Sequence, residues 1–149
     1  MVKEGAYMKH GKNDRADVLA MIFHSAAYDR ISYGLMLAKA ALASGMEVIT
    51  LFTFGALKRL VKGVIDDIAP ETNDDLRDDI EMGLEVGILL PISEQIREAK
   101  RLGLKLHVCV TTMTLFNLSQ EELIEEVDSI AGLGMFVDIA RDAAMSLYI

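Results

Sequence analysis

The sequence predicts a three-layer α/β/α fold, with a flavodoxin-like, mainly parallel sheet in a single domain. Apolar runs of strand length alternate with stretches of helical periodicity, and the strand runs are apolar on both faces, as buried parallel strands are. The 149 residues, 52% of them apolar, suffice for one core and not for two. A chain of this length buries about 70% of the surface that its unfolded form exposes, so it folds without a structural metal or disulfides.

Each element has its own signal. Residues 1–15 are polar and read as a flexible N-terminal arm. Residues 16–23, ADVLAMIF, form an apolar run of strand length bounded by polar residues, hence a buried strand. From Asp29 onward Ile31, Leu35, Ala38 and Leu42 recur at helical spacing, and Gly45 supplies the residue that ends such a helix. Residues 47–54, EVITLFTF, are β-branched and aromatic, a second strand; Gly55 opens a helical stretch through Leu57, Leu60, Val61 and Ile65. After Pro70, Leu76, Ile80, Leu84 and Ile88 outline an amphipathic helix weakened by Gly83 and Gly87. After Pro91, Ile92, Ile96, Ala99 and Leu102 line a further helix that stops at Gly103, and residues 104–110, LKLHVCV, are a third strand. Ser119 and Glu122 have capping-box spacing, with Leu118 and Leu123 placed to staple it, so a helix is expected to begin there. A short segment at 127–130, a helix near 132–143 and a strand at 145–149 complete the chain.

Charge narrows the function classes. The formal net charge is −8, and residues 66–85, with nine acids and the single base Arg77, account for all of it. Phosphate binding relies on clustered Lys and Arg, so nucleic acids and anionic membranes are excluded as generic partners. The acidic helical segment at 66–90 is most simply a solvated face; as a concentration of the whole net charge it also reads as a docking surface or lid. The greasiest runs are about half the ~20 residues a spanning helix requires. The N-terminus lacks a signal-peptide pattern, so a cytoplasmic location is expected. One cysteine, Cys109, forms no intrachain disulfide.

In parallel sheets the chemistry sits beyond the carboxyl ends of the strands, at a switch point of the topology. Those ends carry His24 and Ser25, then Thr53, then Cys109 with Thr111 and Thr112. The first and third strands are expected as neighbours, opening a crevice for Cys109. A dinucleotide fingerprint is absent from the first turn, where HSAAYD stands, and so is a P-loop.

Three segments resemble the DsrE/DsrF-like family in its peroxiredoxin-like branch: GMEVITLFTFGALKRL at 45–60, LGLKLHVCVTTMTLFNLSQEELIEEVDSIAGLGMF at 102–136, and the ending MSLYI. The resemblance implies a three-layer α/β/α fold and self-association, with a trimer or hexamer favoured. It further implies a part in intracellular sulfur handling as a sulfurtransferase-type carrier. Cys109 is then the persulfide-bearing thiol, exchanging sulfur with donor and acceptor proteins or small thiols, without a cofactor. The acidic segment is not something the family motifs predict.

Read without the family, Cys109 is equally a small buried residue on a core strand. Its place at a strand end favours reactivity, because backbone N–H groups of a turn at 110–113 would stabilise the thiolate. His24, at the end of the first strand, is the candidate base or hydrogen-bond partner for that thiol, or else a solvated loop residue. His107 shares a face with Cys109 but lies deeper in the sheet, where a satisfied packing histidine is the favoured reading. A His24, His107 and Cys109 metal site matches no standard zinc spacing, so no metal is expected. Ser25, Thr53, Thr111 and Thr112 are candidate pocket-lining donors, and Thr111, Thr112 and Thr114 equally a loop that caps the next helix. Two function classes stay open: a sulfur-relay protein working through Cys109, and a noncatalytic oligomeric subunit or binding module of the same fold. A thiol peroxidase ranks third, for want of a second cysteine to resolve a sulfenic acid.

Overall fold

A computed structural model describes residues 17–149. The expected arm at 1–15, and Ala16, lie outside the described residues. The chain runs β1 (Val18–Phe23), α1 (Tyr28–Ala43), β2 (Glu47–Phe52), α2 (Phe54–Arg59), α3 (Asp74–Glu85), α4 (Ile92–Arg101), β3 (Lys105–Cys109), α5 (Val110–Leu115), β4 (Ser129–Ala131), α6 (Leu133–Asp142) and β5 (Met145–Tyr148). A single 3₁₀ turn, Gln120–Glu122, stands between α5 and β4.

All five strands are parallel and lie in the order β4-β3-β2-β1-β5. The parallel α/β sheet is therefore as the sequence predicts, but the expected adjacency of the first and third strands is not. β2 lies between β1 and β3 and pairs with both. The reason is the short return through α1, which lays β2 directly beside β1 and sets a steady progression from β1 to β4. Only the last crossover reverses, carrying β5 back past the whole sheet to the far side of β1. Right-handed crossovers put the helices of the first three connections on one face and α6 on the other.

The two faces differ accordingly. Leu19, Met21, Phe23, Val48, Phe52, Leu106 and Val108 point toward α1 and α4 and join the main core. Phe23 and Phe52, register partners on adjacent strands, stack there with ring centroids 4.5 Å apart. Gln95 of α4 ties the layer to α1 by donating to Ser32 Oγ at 2.8 Å. On the other face Ala20, Leu51, Cys109 and Ala131 form a smaller cluster under Phe136 of α6.

Two expected helices are shorter than their sequence signals, for one shared reason. The helix opened by Gly55 ends at Arg59 instead of running through Ile65. The capping box at Ser119 forms, with the Ser119 N–H donating to Glu122 Oε2 at 2.8 Å, but it opens a single 3₁₀ turn rather than a helix. The residues after these two starts pair with each other: Val61 bridges Leu123 antiparallel, and Ile124 N–H donates to Leu60 O at 2.8 Å. Burial of Leu123 and this pairing together outweigh a helix start that contributes only about 1 kcal/mol. The acidic helix also ends early, at Glu85, leaving Ile88 outside it and exposed. The expected turn at 110–113 is instead the first part of α5, which begins directly after Cys109.

Candidate functional site at the carboxyl edge of the sheet

Because every strand runs the same way, all strand ends that bear candidate residues meet at one edge. β3 passes into α5 with no intervening loop, which puts Cys109 at the N-cap position of α5. Its side chain lies on the α6 side, in the cluster with Leu51, Ala131 and Phe136, and the residue is 3% exposed. Burial pushes the thiol pKa up. The amide and hydroxyl of Thr112, the hydroxyl of Thr53 and the amide of Thr111 act the other way and prevail, so the thiol lies below its ordinary value. No cap hydrogen bond to the sulfur is formed. These groups lie beside the sulfur and favour its negative form, the condition for thiolate chemistry.

Thr53 and Thr112 hold this arrangement together. Their hydroxyls lie 2.8 Å apart, both residues are buried, and the contact joins the end of β2 to the first turn of α5. The next residue, Phe54, has φ of 43°, in the left-handed region that a bulky residue enters only under constraint. Its amide reaches Thr112 Oγ1 at 3.4 Å, and the adjacent Gly55 leaves room for the first loop: a Cβ there would meet Ala26 N and Cβ at 3.0 Å. The turn from β2 into α2 is thus held in an uncommon conformation immediately beside the cysteine's donors.

The other candidates sit elsewhere along the edge. His24 lies at the same end of the sheet as Cys109, but with β2 between their strands the two backbones are about 10 Å apart. The His24 ring stacks with Phe54 at 5.2 Å and Tyr148 at 5.7 Å, and its amide donates to Ile149 O at 2.8 Å. Ser25 accepts the Ala27 amide at 3.1 Å and so shapes the entry to α1. Thr111 is exposed on α5, and Thr114 donates to Val110 O at 3.1 Å; with Leu115 these residues line a shallow depression of about 460 Å³. His107 shares the Cys109 face, one residue pair further into the sheet, with Nδ1 2.8 Å from Ser129 Oγ. Among the described residues no group of three His, Cys, Asp or Glu is gathered to hold a metal ion. No helix among them is long and apolar enough to cross a membrane.

Residues 84–148 match the model of the DsrE/DsrF/DrsH-like family. Over this span the chain is similar to that family. The matched part takes in β3, Cys109, α5, β4, α6 and β5. The whole fold is similar to the solved structure of MTH1491, a protein of unknown function from Methanobacterium thermoautotrophicum. That similarity has a TM-score of 0.60 at 12% identity and covers 89% of this chain and 97% of the other. At such identity it is a likeness of fold. No curated protein matches the chain.

Sequence reasoning finds Thr53 and Thr112 as separate candidates and misses their contact. It misses Arg59 altogether. That arginine is 4% exposed, and the signal for it is present in the sequence: it stands between Leu57 and Leu60, on a short helix whose apolar side packs inward.

Proposed function

We propose that this protein carries sulfane sulfur as a persulfide on Cys109, in a sulfur relay. The observation that carries the reading is the place of Cys109 at the N-cap of α5, beside the paired hydroxyls of Thr53 and Thr112 and the amides of Thr111 and Thr112, which hold the thiol below its ordinary value in spite of burial. In the proposed step the Cys109 thiolate attacks the outer sulfur of a donor such as thiosulfate. A Cys109 S–S bond forms, the donor's S–S bond breaks, and the electron pair leaves on sulfite. An acceptor thiolate then attacks the outer sulfur and releases Cys109 as thiolate. The threonine donors steady the negative sulfur, and Leu51, Ala131 and Phe136 keep water from it. No metal or cofactor enters this step. His24, turned toward Phe54 and Tyr148, forms the rim by which a partner reaches the edge.

A second copy of the chain is the proposed neighbour on the α6 face, in a trimer or hexamer. Leu133, Met135, Val137 and Tyr148 are all exposed there, more greasy surface than a lone chain of this size usually leaves open.

Burial of Cys109 favours one competing reading, a noncatalytic subunit in which the cysteine is core filling. Incubation with thiosulfate separates the two. A gain of about 32 Da, the mass of one sulfur atom, absent in Cys109→Ser, is the result expected of a carrier. Alkylation of the native chain should rise with pH to a midpoint below the ordinary thiol value. Replacing both threonines, Thr53→Val with Thr112→Val, should move that midpoint up. Resistance to alkylation and sulfur loading until the chain unfolds would leave the noncatalytic reading in place.

A further inference from the structure

A cavity of about 440 Å³ opens at the carboxyl edge on the α1 and α4 side, away from Cys109, between the first loop, α2 and the strap at 64–71. Its apolar walls are Ala26, Val64, Ile68 and Pro70, and its cations are Lys58 and Arg59. Arg59 is the unusual member. It is only 4% exposed, yet its Nε and Nη2 have no hydrogen-bond partner among the described residues. Its only hydrogen bond among the described residues, from Nη1 to Val64 O, is 3.4 Å long, near the limit for such a bond. The guanidinium rests over the Tyr28 ring at 5.5 Å, a contact that supplies no acceptor.

A buried, unpaired guanidinium is costly, and the usual remedy is a carboxylate from the chain. The nearest acids do not provide one. Asp66 is committed to the first turn of α4, where both its oxygens accept from Ser93, at 2.8 and 2.7 Å. Asp67 and Glu71 stand exposed at the cavity mouth, and neither forms an ion pair among the described residues. We infer that this cavity binds a small aliphatic monocarboxylate, its carboxylate on Arg59 and its short apolar body against Val64, Ile68 and Pro70. The planar fork of an arginine matches a carboxylate with two parallel hydrogen bonds, and the two nitrogens without partners supply them. The long bond to Val64 O gives way as the guanidinium turns into the cavity. The acids at the mouth select a single negative charge over a dianion.

The test monitors the Arg59 Nε–H resonance and binding heat while butyrate is added to the full chain, with butyramide and inorganic phosphate as comparison probes. Butyrate should shift the resonance, and butyramide and phosphate should bind at least about tenfold more weakly. Arg59→Leu, which removes an unpaired buried charge and keeps the site filled, should fold and lose the butyrate preference. Lys58→Gln, an exposed change, should weaken butyrate by about twofold to threefold with the fold intact. Three results would overturn the proposal: butyrate and butyramide binding alike, phosphate binding as tightly as butyrate, or no shift of the Arg59 resonance with any probe. Destabilisation by Asp67→Asn together with no butyrate binding would also overturn it, because Arg59 would then be neutralised from within the chain.

Discussion

The two faces of the sheet are built from the same five strands and do different work. Toward α1 and α4 the strands present Phe23, Phe52, Met21 and Leu106, large side chains covered by two helices of 16 and 10 residues. Toward α6 they present Ala20, Leu51, Cys109 and Ala131, mostly small and covered by one helix of 10 residues. The first face supplies most of the apolar burial that holds the fold. Less of the stability rests on the second, so local opening there costs less than on the first. In a parallel sheet this asymmetry arises from strand order: three crossovers in one direction and one in the other leave one face with a single helix.

Neighbouring residues on β2 put this contrast to its most direct test. Phe52 points into the thick layer and stacks on Phe23, while Leu51 points into the thin one. Phe52→Ala should cost about 3–5 kcal/mol, the usual range for a buried ring lost from a packed core. Leu51→Ala should cost about 2 kcal/mol, the low end for its type, because α6 can settle onto the small residues around the gap. Urea titration of both variants measures the difference. Equal losses would mean that the α6 layer is packed as rigidly as the other.

A smaller effect on folding, with a larger one on assembly, is expected at the outer side of α6. Val137 is 61% and Leu133 is 54% exposed, so Val137→Asp with Leu133→Asp should change the stability of the single chain by no more than about 0.5 kcal/mol per site. If a second copy covers this face, sedimentation should show wild type as an oligomer and the double variant as a monomer. An oligomer that survives both charges would place the contact elsewhere.

The thick face was readable in the sequence because its elements are long and periodic. Ile31, Leu35 and Ala38 on α1, and Ile92, Ile96 and Ala99 on α4, fall inside as their spacing predicts. Cys109, Thr53 and Thr112 were readable as strand-end residues because parallel strands deliver their ends to one edge. What the sequence did not disclose depends on distant pairing. The bridge of Val61 with Leu123 shortens two expected helices, and neither segment alone signals the other. The return of β5 to the side of β1 is likewise set by where the last crossover lands, and the separation of His24 from Cys109 by the insertion of β2 between their strands. The position of Phe54 at positive φ comes from the close meeting of the turn with Ala26 and Thr112, not from its own preference.

The smallest expected effect concerns His107, at the border of the thin face. Burial pushes its imidazole pKa below the ordinary value; Asp128 pulls it up, and Lys100 and Lys105 push it down, with burial and the lysines prevailing. The neutral ring, paired with Ser129 Oγ at 2.8 Å, is therefore the form that the fold prefers. As pH falls the unfolded chain protonates first, near about 6.5, while the folded chain resists until its lower pKa is reached. The stabilising contribution is present above about 6.5 and is lost as pH drops through the folded value. Asp128 does not confuse this window, because its carboxyl is held below the ordinary 3.8: burial raises it, and the hydrogen bonds from Lys100 and the Leu106 amide overcome that rise. Urea midpoints measured from pH 7.5 downward should decline in wild type through the histidine range, and His107→Gln should flatten that part of the curve. An identical decline in both would assign the acid sensitivity to another group and leave the α6 face without a titrating element at this position.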